Sequence, residues 1–310
     1  MIASDTGSSG GFFPIGGPTL EEVIAIRSGP GGVYVLDSTD SGATVHRYSR
    51  QGNFLSTIIP AGSGGLEDVS DMVFGPTGDI FIANYETGQP AGDGGEVLRF
   101  SSTGTFLGVF AANGSGDGVN ASLGEPMGLA FGPDGNLYVA NDNSFDNVLR
   151  FNGTTGAFID TFIPDNTTGL NDPKSIKFGP DGRFYASNEG GAVEVYNGTT
   201  GAYVGQFVTT GSGGLQEPVD MVFAGGSLWV LDGDDGAEAV YRYNATTGAF
   251  ISATFLTPTT TFDDARTFLI ATINNVPVPI GGLPMFVALA LSLLGAAFLT
   301  LRRAGGRLSG

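Results

Sequence analysis

The chain has 310 residues, of which 41% are hydrophobic and 52 are glycine, so a large core can be buried between many turns. It has no cysteine and one histidine, His46, which excludes disulfides, thiolate metal sites and His-rich metal sites, and counts against a Ser-His-Asp triad. Net charge is −18; residues 1–275 carry 31 acidic and 10 basic groups (13 less the three tail arginines), about −21, a balance that repels nucleic acid and favours cations or basic and neutral partners.

In chain order, a short stretch recurs. It is first seen loosely as Gly29-Pro-Gly-Gly-Val-Tyr-Val-Leu-Asp37, then as Phe74-Gly-Pro-Thr-Gly-Asp-Ile-Phe-Ile-Ala-Asn84 and Phe131-Gly-Pro-Asp-Gly-Asn-Leu-Tyr-Val-Ala-Asn141. Phe178-Gly-Pro-Asp-Gly-Arg-Phe-Tyr-Ala-Ser-Asn188 and Phe223-Ala-Gly-Gly-Ser-Leu-Trp-Val-Leu-Asp232 follow. Successive copies start about 46, 57, 47 and 45 residues apart, a period that marks a radial or stacked β array. Within one period, Pro126–Phe131 alternates as a strand, Gly132–Gly135 is a tight turn, and Asn136–Ala140 is a second strand. Val148–Phe151 and Ala157–Phe162 give a third and fourth, joined by Asn152-Gly-Thr-Thr-Gly156, which returns at Asn197–Gly201 and, with Ala245, at Asn244–Gly248. Gly156, Gly201 and Gly248 are expected at positive φ. Four antiparallel strands per period make a propeller blade, which must pack around an axis to bury both faces. The fold class is therefore all-β, a β-propeller with five complete blades over 20–275.

A partial sixth blade is read from the ends: Phe262–Ile270 aligns with a first strand, and Ser8–Phe13, in an N-terminal segment 1–19, opens a fourth. Its second and third strands appear in neither piece, so either the ring is imperfect or the natural chain begins upstream of Met1.

Glu125-Pro-Met-Gly-Leu-Ala-Phe131 running into Gly132–Asn141 and Val148–Phe151 resembles NHL-type repeats and their six-bladed relatives, the gluconolactonase-like and streptogramin-lyase-like propellers. The first of these relatives implies a divalent ion on the axis, for which Glu21 or Glu22, Asn141, Asn188 and Asp232 are the matching residues. Asn141 and Asn188 also recur simply because blades recur. The second implies an axial histidine, whereas His46 falls in a third strand, away from the axis.

Other residues have a plainer reading beside the functional one. The loops at 141–147 and 232–238 are oxygen-rich, which suits calcium, but they lack the spacing of a calcium loop and read equally as solvated hairpins. Asp71, Lys174, Lys177 and Asp220 lie on or beside first strands and either line or simply solvate the channel. Asn-x-Ser/Thr triplets, such as those at Asn152, Asn197 and Asn244, read as turn chemistry, and Trp229 as core in the place of Tyr138 and Tyr185. The long loops at 85–95 and 110–126 are where a rigid scaffold would carry binding.

Residues 276–310 change character. Val276-Pro277-Val278-Pro279 is a hinge, Ile280–Leu301 runs without a charge and is long enough to span a bilayer as a helix, and Arg302, Arg303 and Arg307 follow. By the positive-inside rule the arginines are cytoplasmic and the acidic propeller lies outside, although residues 1–8 do not read as a signal peptide. Together these features resemble the PEP-CTERM sorting signal in its Val-Pro-Leu-Pro-Ala form, with departures at Val278 and Ile280. The resemblance implies an exosortase partner and a place in the cell envelope or extracellular polysaccharide matrix of a Gram-negative bacterium. The leading expectation is a non-enzymatic binding or scaffold protein for polysaccharide or surface proteins; a metal-dependent lactonase-like hydrolase or lyase is the other.

Overall fold

The computed structural model describes residues 2–4, 9–10, 16–39, 41–85, 94–112, 123–142, 146–165, 169–233, 239–255, 266–272 and 286–290. Five four-stranded antiparallel blades follow one another. The first comprises Glu22–Gly29, Gly32–Thr39, Gly42–Tyr48 and Phe54–Ile59. The second comprises Asp68–Phe74, Ile80–Tyr85, Gly95–Phe100 and Phe106–Ala112. The third is Glu125–Phe131, Leu137–Asp142, Asn147–Phe151 and Phe158–Ile163, and the fourth Ile176–Phe178, Phe184–Asn188, Ala192–Tyr196 and Tyr203–Val208. The fifth is Pro218–Ala224, Ser227–Asp232, Ala239–Asn244 and Phe250–Phe255.

A further sheet gathers short strands from both ends in the order Phe268–Thr272, Phe286–Ala290, Ile2–Ser4, Ser9–Gly10. Its first strand lies between the inner strands of the fifth and first blades and fills a sixth place around the axis. The middle two strands, which the repeat register did not supply, are thus backbone pairings of 286–290 with 2–4. The remainder of 280–301, the hinge Val276–Pro279 and Arg302, Arg303 and Arg307 lie outside the described residues. Among the described residues no helix is long and apolar enough to cross a membrane.

The repeated residues hold neighbouring blades together. In the first four blades the aromatic of the second strand meets, edge to face, a Phe at or next to the end of the next blade's first strand: Tyr34–Phe74, Phe81–Phe131, Tyr138–Phe178 and Tyr185–Phe223, at 4.8–5.0 Å between centroids. The Phe of the repeated Phe-Gly-Pro is therefore an inter-blade contact first and a strand end second. Gly135, at φ 78, closes the turn after it, its N–H bonding the Gly132 carbonyl at 2.9 Å. In the other turn the Asn152 side-chain oxygen accepts the N–H groups of Thr154 and Thr155, both at 3.0 Å. Asn197 and Asn244 do the same, so these triplets are turn chemistry, as expected.

An antiparallel meander puts both kinds of turn on one face of the ring. The loops between second and third strands, and the links between blades, stand on the other. The residues flanking the long loops of the second blade, Tyr85 and Gly95, Ala112 and Leu123, are on this second face; the loops themselves lie outside the described residues.

Candidate functional site

The inner strands of the first, second, third and fifth blades have an irregular register near their start, between Val23 and Ala25, Val69 and Asp71, Pro126 and Leu129, and Pro218 and Asp220. The irregularity turns one residue of each towards the axis just below the mouth, and Ser175, just ahead of the fourth blade's inner strand Ile176–Phe178, takes the same place. In blade order these are Ala25, Asp71, Gly128, Ser175 and Asp220, with Thr267 in the sixth place. Two positions further down stand Arg27 in the first blade and Lys177 in the fourth.

These residues form one network. The Arg27 guanidinium donates to Asp71 Oδ1 (2.5 Å), Asp220 Oδ2 (3.2 Å), Thr267 Oγ1 (3.1 Å) and the carbonyls of Ile26 and Met72. Asp71 Oδ2 accepts the N–H of Leu129 in the next blade at 2.9 Å. Asp220 repeats the device, accepting from the Thr267 hydroxyl at 3.0 Å and, more loosely, from the Phe268 N–H at 3.5 Å. Thr267 Oγ1 in turn accepts the Ile26 N–H at 3.2 Å, closing the circle. Lys177 Nζ stands 3.8 Å from Asp220. Burial opposes the charge on Arg27, but Asp71 and Asp220 outweigh it and hold the guanidinium above its ordinary value. Asp220 is likewise held below the ordinary carboxylate range by Arg27, Lys177 and its hydrogen bonds, against the effect of burial. Lys177 is pushed down, chiefly by burial.

Above this network lies a cavity of about 210 Å³, lined among others by Ile24, Ser70, Met127, Lys174, Val219 and Arg266, the mouth residues of the six places. Glu217 lines it, and each other blade carries a carboxylate at the same register: Glu22, Asp68, Glu125 and Asp172. Asp264 occupies that register in the sequence, outside the described residues. Lys174 Nζ binds Glu217 at 2.6 Å and stands 3.9 Å from Asp172; Arg266 binds Glu22 at 3.0 Å. Burial and a hydrogen bond with Asp142 push Asp172 up to about 7 despite Lys174, and burial with the neighbouring Asp142 raises Glu125. Two cations set among at least five carboxylates leave the mouth acidic. Lys174 and Lys177 therefore do not form a joint floor: one belongs to the rim, the other to the network beneath.

The residues matched to an axial metal have a shared task. Asp37, Asn84, Asn141, Asn188 and Asp232 each lie within the last three residues of a second strand, and each side chain accepts backbone N–H from the segment entering the same blade. Asp37 takes Glu21 and Glu22 (both 3.0 Å), Asn84 takes Glu67 (3.0 Å), and Asn141 takes Gly124 (2.8 Å). Asn188 takes Asn171 (2.5 Å), and Asp232 takes Gln216 and Glu217 (2.9 and 2.8 Å). Asn141, Asn188 and Asp232 thus serve as clamps within three separate blades, and among the described residues no three His, Cys, Asp or Glu are grouped to hold a metal ion. Glu21 and Glu22 supply backbone donors to the first clamp. The loop residues Asn143, Ser144, Phe145 and 234–238 lie outside the described residues. His46 is buried, its ring nitrogens each 2.9 Å from the hydroxyls of Thr44 and Thr57. Trp229 takes the Tyr138 place, with Arg242 5.1 Å above its ring.

The clamps give a pH prediction. Burial pushes Asp37 up to about 6, against the pull of its two N–H donors. The folded carboxyl holds its proton more tightly than the unfolded one, so wild-type stability falls as pH rises through about 6. Asp37→Asn keeps the acceptor, as Asn84 does, without the charge. Its melting temperature is expected to exceed wild type at pH 8, by a free energy on the order of 1–3 kcal/mol, and to match it at pH 4. An equal difference at both pH values would refute this.

No family model matches the chain, and no curated protein does. Solved structures do match. One, from a nidogen/laminin complex, is 18% identical, covers 74% of this chain and 79% of its own, and has a TM-score of 0.55. Kuenenia stuttgartiensis hydrazine synthase is 14% identical over 80% of this chain and 70% of its own, with a TM-score of 0.57. A protein of unknown function from Bacteroides caccae is 16% identical over 76% and 81%, with a TM-score of 0.53. These likenesses concern the propeller fold, which is found in both a binding complex and an enzyme.

Proposed function

We propose that the protein is a non-enzymatic binding module of NHL type, displayed on the cell surface or in an extracellular matrix, whose axial mouth takes a cationic or neutral group of a matrix polymer or surface protein. The observation that carries the reading is the mouth itself: a cavity lined by Glu217, with Glu22, Asp68, Glu125 and Asp172 at the same register of the other blades, on the face where loop length varies. A low-dielectric funnel lined by one sign of charge concentrates the opposite charge. The carboxylates and amides that would serve a lactonase-like metal are spent on backbone donors, which weighs against the hydrolytic reading. The neighbour from a nidogen/laminin complex is a precedent for a propeller in such a role.

The surface location rests on the sequence of the tail. Val276-Pro277-Val278-Pro279, the uncharged run to Leu301 and Arg302, Arg303 and Arg307 fit a sorting signal cut by an exosortase after membrane insertion. Mass spectrometry of the mature protein is expected to find no residues beyond about 280, so that processing also removes the strand Phe286–Ala290 from the end sheet; an intact C-terminus would sink the processing step.

The mouth is tested by titrating a partly de-N-acetylated glucosamine polymer, which is cationic, and its fully acetylated counterpart. The triple variant Asp68→Asn/Glu125→Gln/Glu217→Gln is expected to weaken cationic-polymer binding at least tenfold and to remove most of its salt dependence. Unchanged binding overturns the site. Calcium or zinc raising the melting temperature of wild type but not of Asp232→Asn would favour the hydrolase instead.

A further inference from the structure

The face that bears the axial mouth has a second, larger opening between the first two blades. It is a cleft of about 400 Å³, within the roughly 300–1,000 Å³ of small-molecule sites. One wall is the hairpin between the second and third strands of the first blade, which presents Ser38, Thr39 and Ser41. The other is the link into the second blade, with Gly62, Gly65, Glu67 and Asp68. The two walls meet closely: a Cβ on Gly42 would stand 2.8 Å from the Leu66 carbonyl oxygen, so the hairpin lies directly against the link. The Thr39 hydroxyl donates to the Gly42 carbonyl at 2.7 Å and meets the Ser41 hydroxyl at 3.0 Å, which fixes the polar edge of the hairpin. Gly62 and Gly65 sit at φ 69 and 88, and nothing lies within 4 Å of a Cβ at either, so the link contributes bare backbone.

The repeat supplies a comparison. The link into the fifth blade has the same Gly-Ser-Gly-Gly-Leu sequence, and there Gly191 stands against the Leu215 carbonyl as Gly42 does against Leu66. The hairpin beside it, Asn188-Glu189-Gly190-Gly191, is shorter and carries no hydroxyl side chain. The demands of the scaffold therefore account for the glycines and the leucine, but not for Ser38, Thr39 and Ser41.

We propose that this cleft is a subsite for a neutral, hydroxyl-rich sugar residue of the polymer whose cationic residue sits at the mouth. The lining selects that ligand. Each hydroxyl both donates and accepts, whereas a carboxylate only accepts, and the edge of a sugar ring offers partners to both. Glu67 and Asp68 repel an anion. An apolar group would cover these polar atoms without replacing the hydrogen bonds they make to water. Position links the two sites: Asp68 lines the cleft, while Val69, Ser70 and Tyr85, the strand partner of Asp68, line the axial cavity. The two openings share one strand end, and a chain of linked sugars reaches from one to the other. The proposal rests on the reading of the mouth given above and adds the direction in which the polymer leaves it, across the link between the first and second blades. Short side chains make few contacts, so one sugar binds here weakly; linkage to the anchored residue makes the second contact intramolecular and raises the overall affinity.

The test compares two probes by titration calorimetry of the full-length protein: glucosamine, and a glucosamine tetrasaccharide with one free amine and three N-acetyl groups. Wild type is expected to bind the tetrasaccharide at least tenfold more tightly than glucosamine. Ser41→Ala/Glu67→Ala is expected to abolish that advantage while leaving glucosamine affinity and melting temperature unchanged, since both side chains are exposed. Equal affinity for the two probes in wild type overturns the cleft, and so does an advantage that survives Ser41→Ala/Glu67→Ala. The mouth is read separately, from glucosamine alone. If Glu125→Gln/Glu217→Gln leaves glucosamine binding unchanged, the reading of the mouth falls, and the ratio between the probes still decides the cleft. A wild type that binds neither probe overturns both.

Discussion

Arg27→Met is expected to cost about 3–5 kcal/mol, the usual penalty for leaving buried charge without its partner. Asp71 and Asp220 are each only 4% exposed, and among the described residues Arg27 is the one side chain that bonds both. Methionine fills much the same volume but offers no donor. A domain's total stability is about 5–15 kcal/mol, so this is a large share of it. Urea unfolding at pH 7 measures the loss directly. Lowering the pH is expected to narrow the gap between variant and wild type. Asp220 is held below the ordinary carboxylate range, so wild type carries its contribution at neutral pH and loses it as acid protonates the group, whereas the variant is relieved of buried charge. Adding Asp71→Asn and Asp220→Asn to Arg27→Met should recover part of the loss at pH 7. A single variant that loses under 1 kcal/mol would show that the network does not hold the ring.

Gly156→Ala is expected to be nearly as damaging, and for a different reason. At φ 73, alanine adopts a left-handed backbone at a cost of about 1–2 kcal/mol. Its Cβ would also overlap the carbonyl oxygen of Phe110 in the outer strand of the preceding blade. Backbone cannot swing aside, so one blade must shift against the other, and a total of about 3 kcal/mol or more follows. Gly135→Ala separates the two effects. Gly135 has a similar φ of 78, but nothing lies within 4 Å of a Cβ there, so it should show only the conformational part, about 1–2 kcal/mol. Thermal unfolding of the pair decides: equal losses would mean that the inter-blade overlap relaxes freely.

That comparison shows how far the sequence could be read. The repeat of Phe-Gly-Pro and Asn-Gly-Thr-Thr-Gly predicts strands, turns and a positive φ at Gly156, because these are local demands of chain geometry. It does not show that Gly156 touches Phe110, since that contact joins two blades. Arg27 was invisible for the same reason: a lone arginine in Val-Ile-Ala-Ile-Arg reads as the end of a strand, and its partners lie 44 and 193 residues away. The rim carboxylates were in plain view before each first strand, as in Leu66-Glu-Asp and Leu123-Gly-Glu-Pro, but periodic spacing alone does not place them around one opening. The resemblance to gluconolactonase-like propellers makes Asn141, Asn188 and Asp232 candidate ligands, while their recurrence from blade to blade speaks for a structural role. Their hydrogen bonds give the recurrence a simpler cause, one clamp per blade.

The bond from the Ile26 N–H to Thr267 spans 241 residues. A chain made or exported from its N-terminus forms its early blades with Arg27 already able to reach Asp71, 44 residues on. Asp220 and then Thr267 arrive much later. Such distant pairings are slow to find, because chain entropy is lost before they repay it. Joining the two ends is therefore expected to be the last and rate-limiting event of folding, and until it happens the inner strand of the first blade keeps an open flank that invites misassembly.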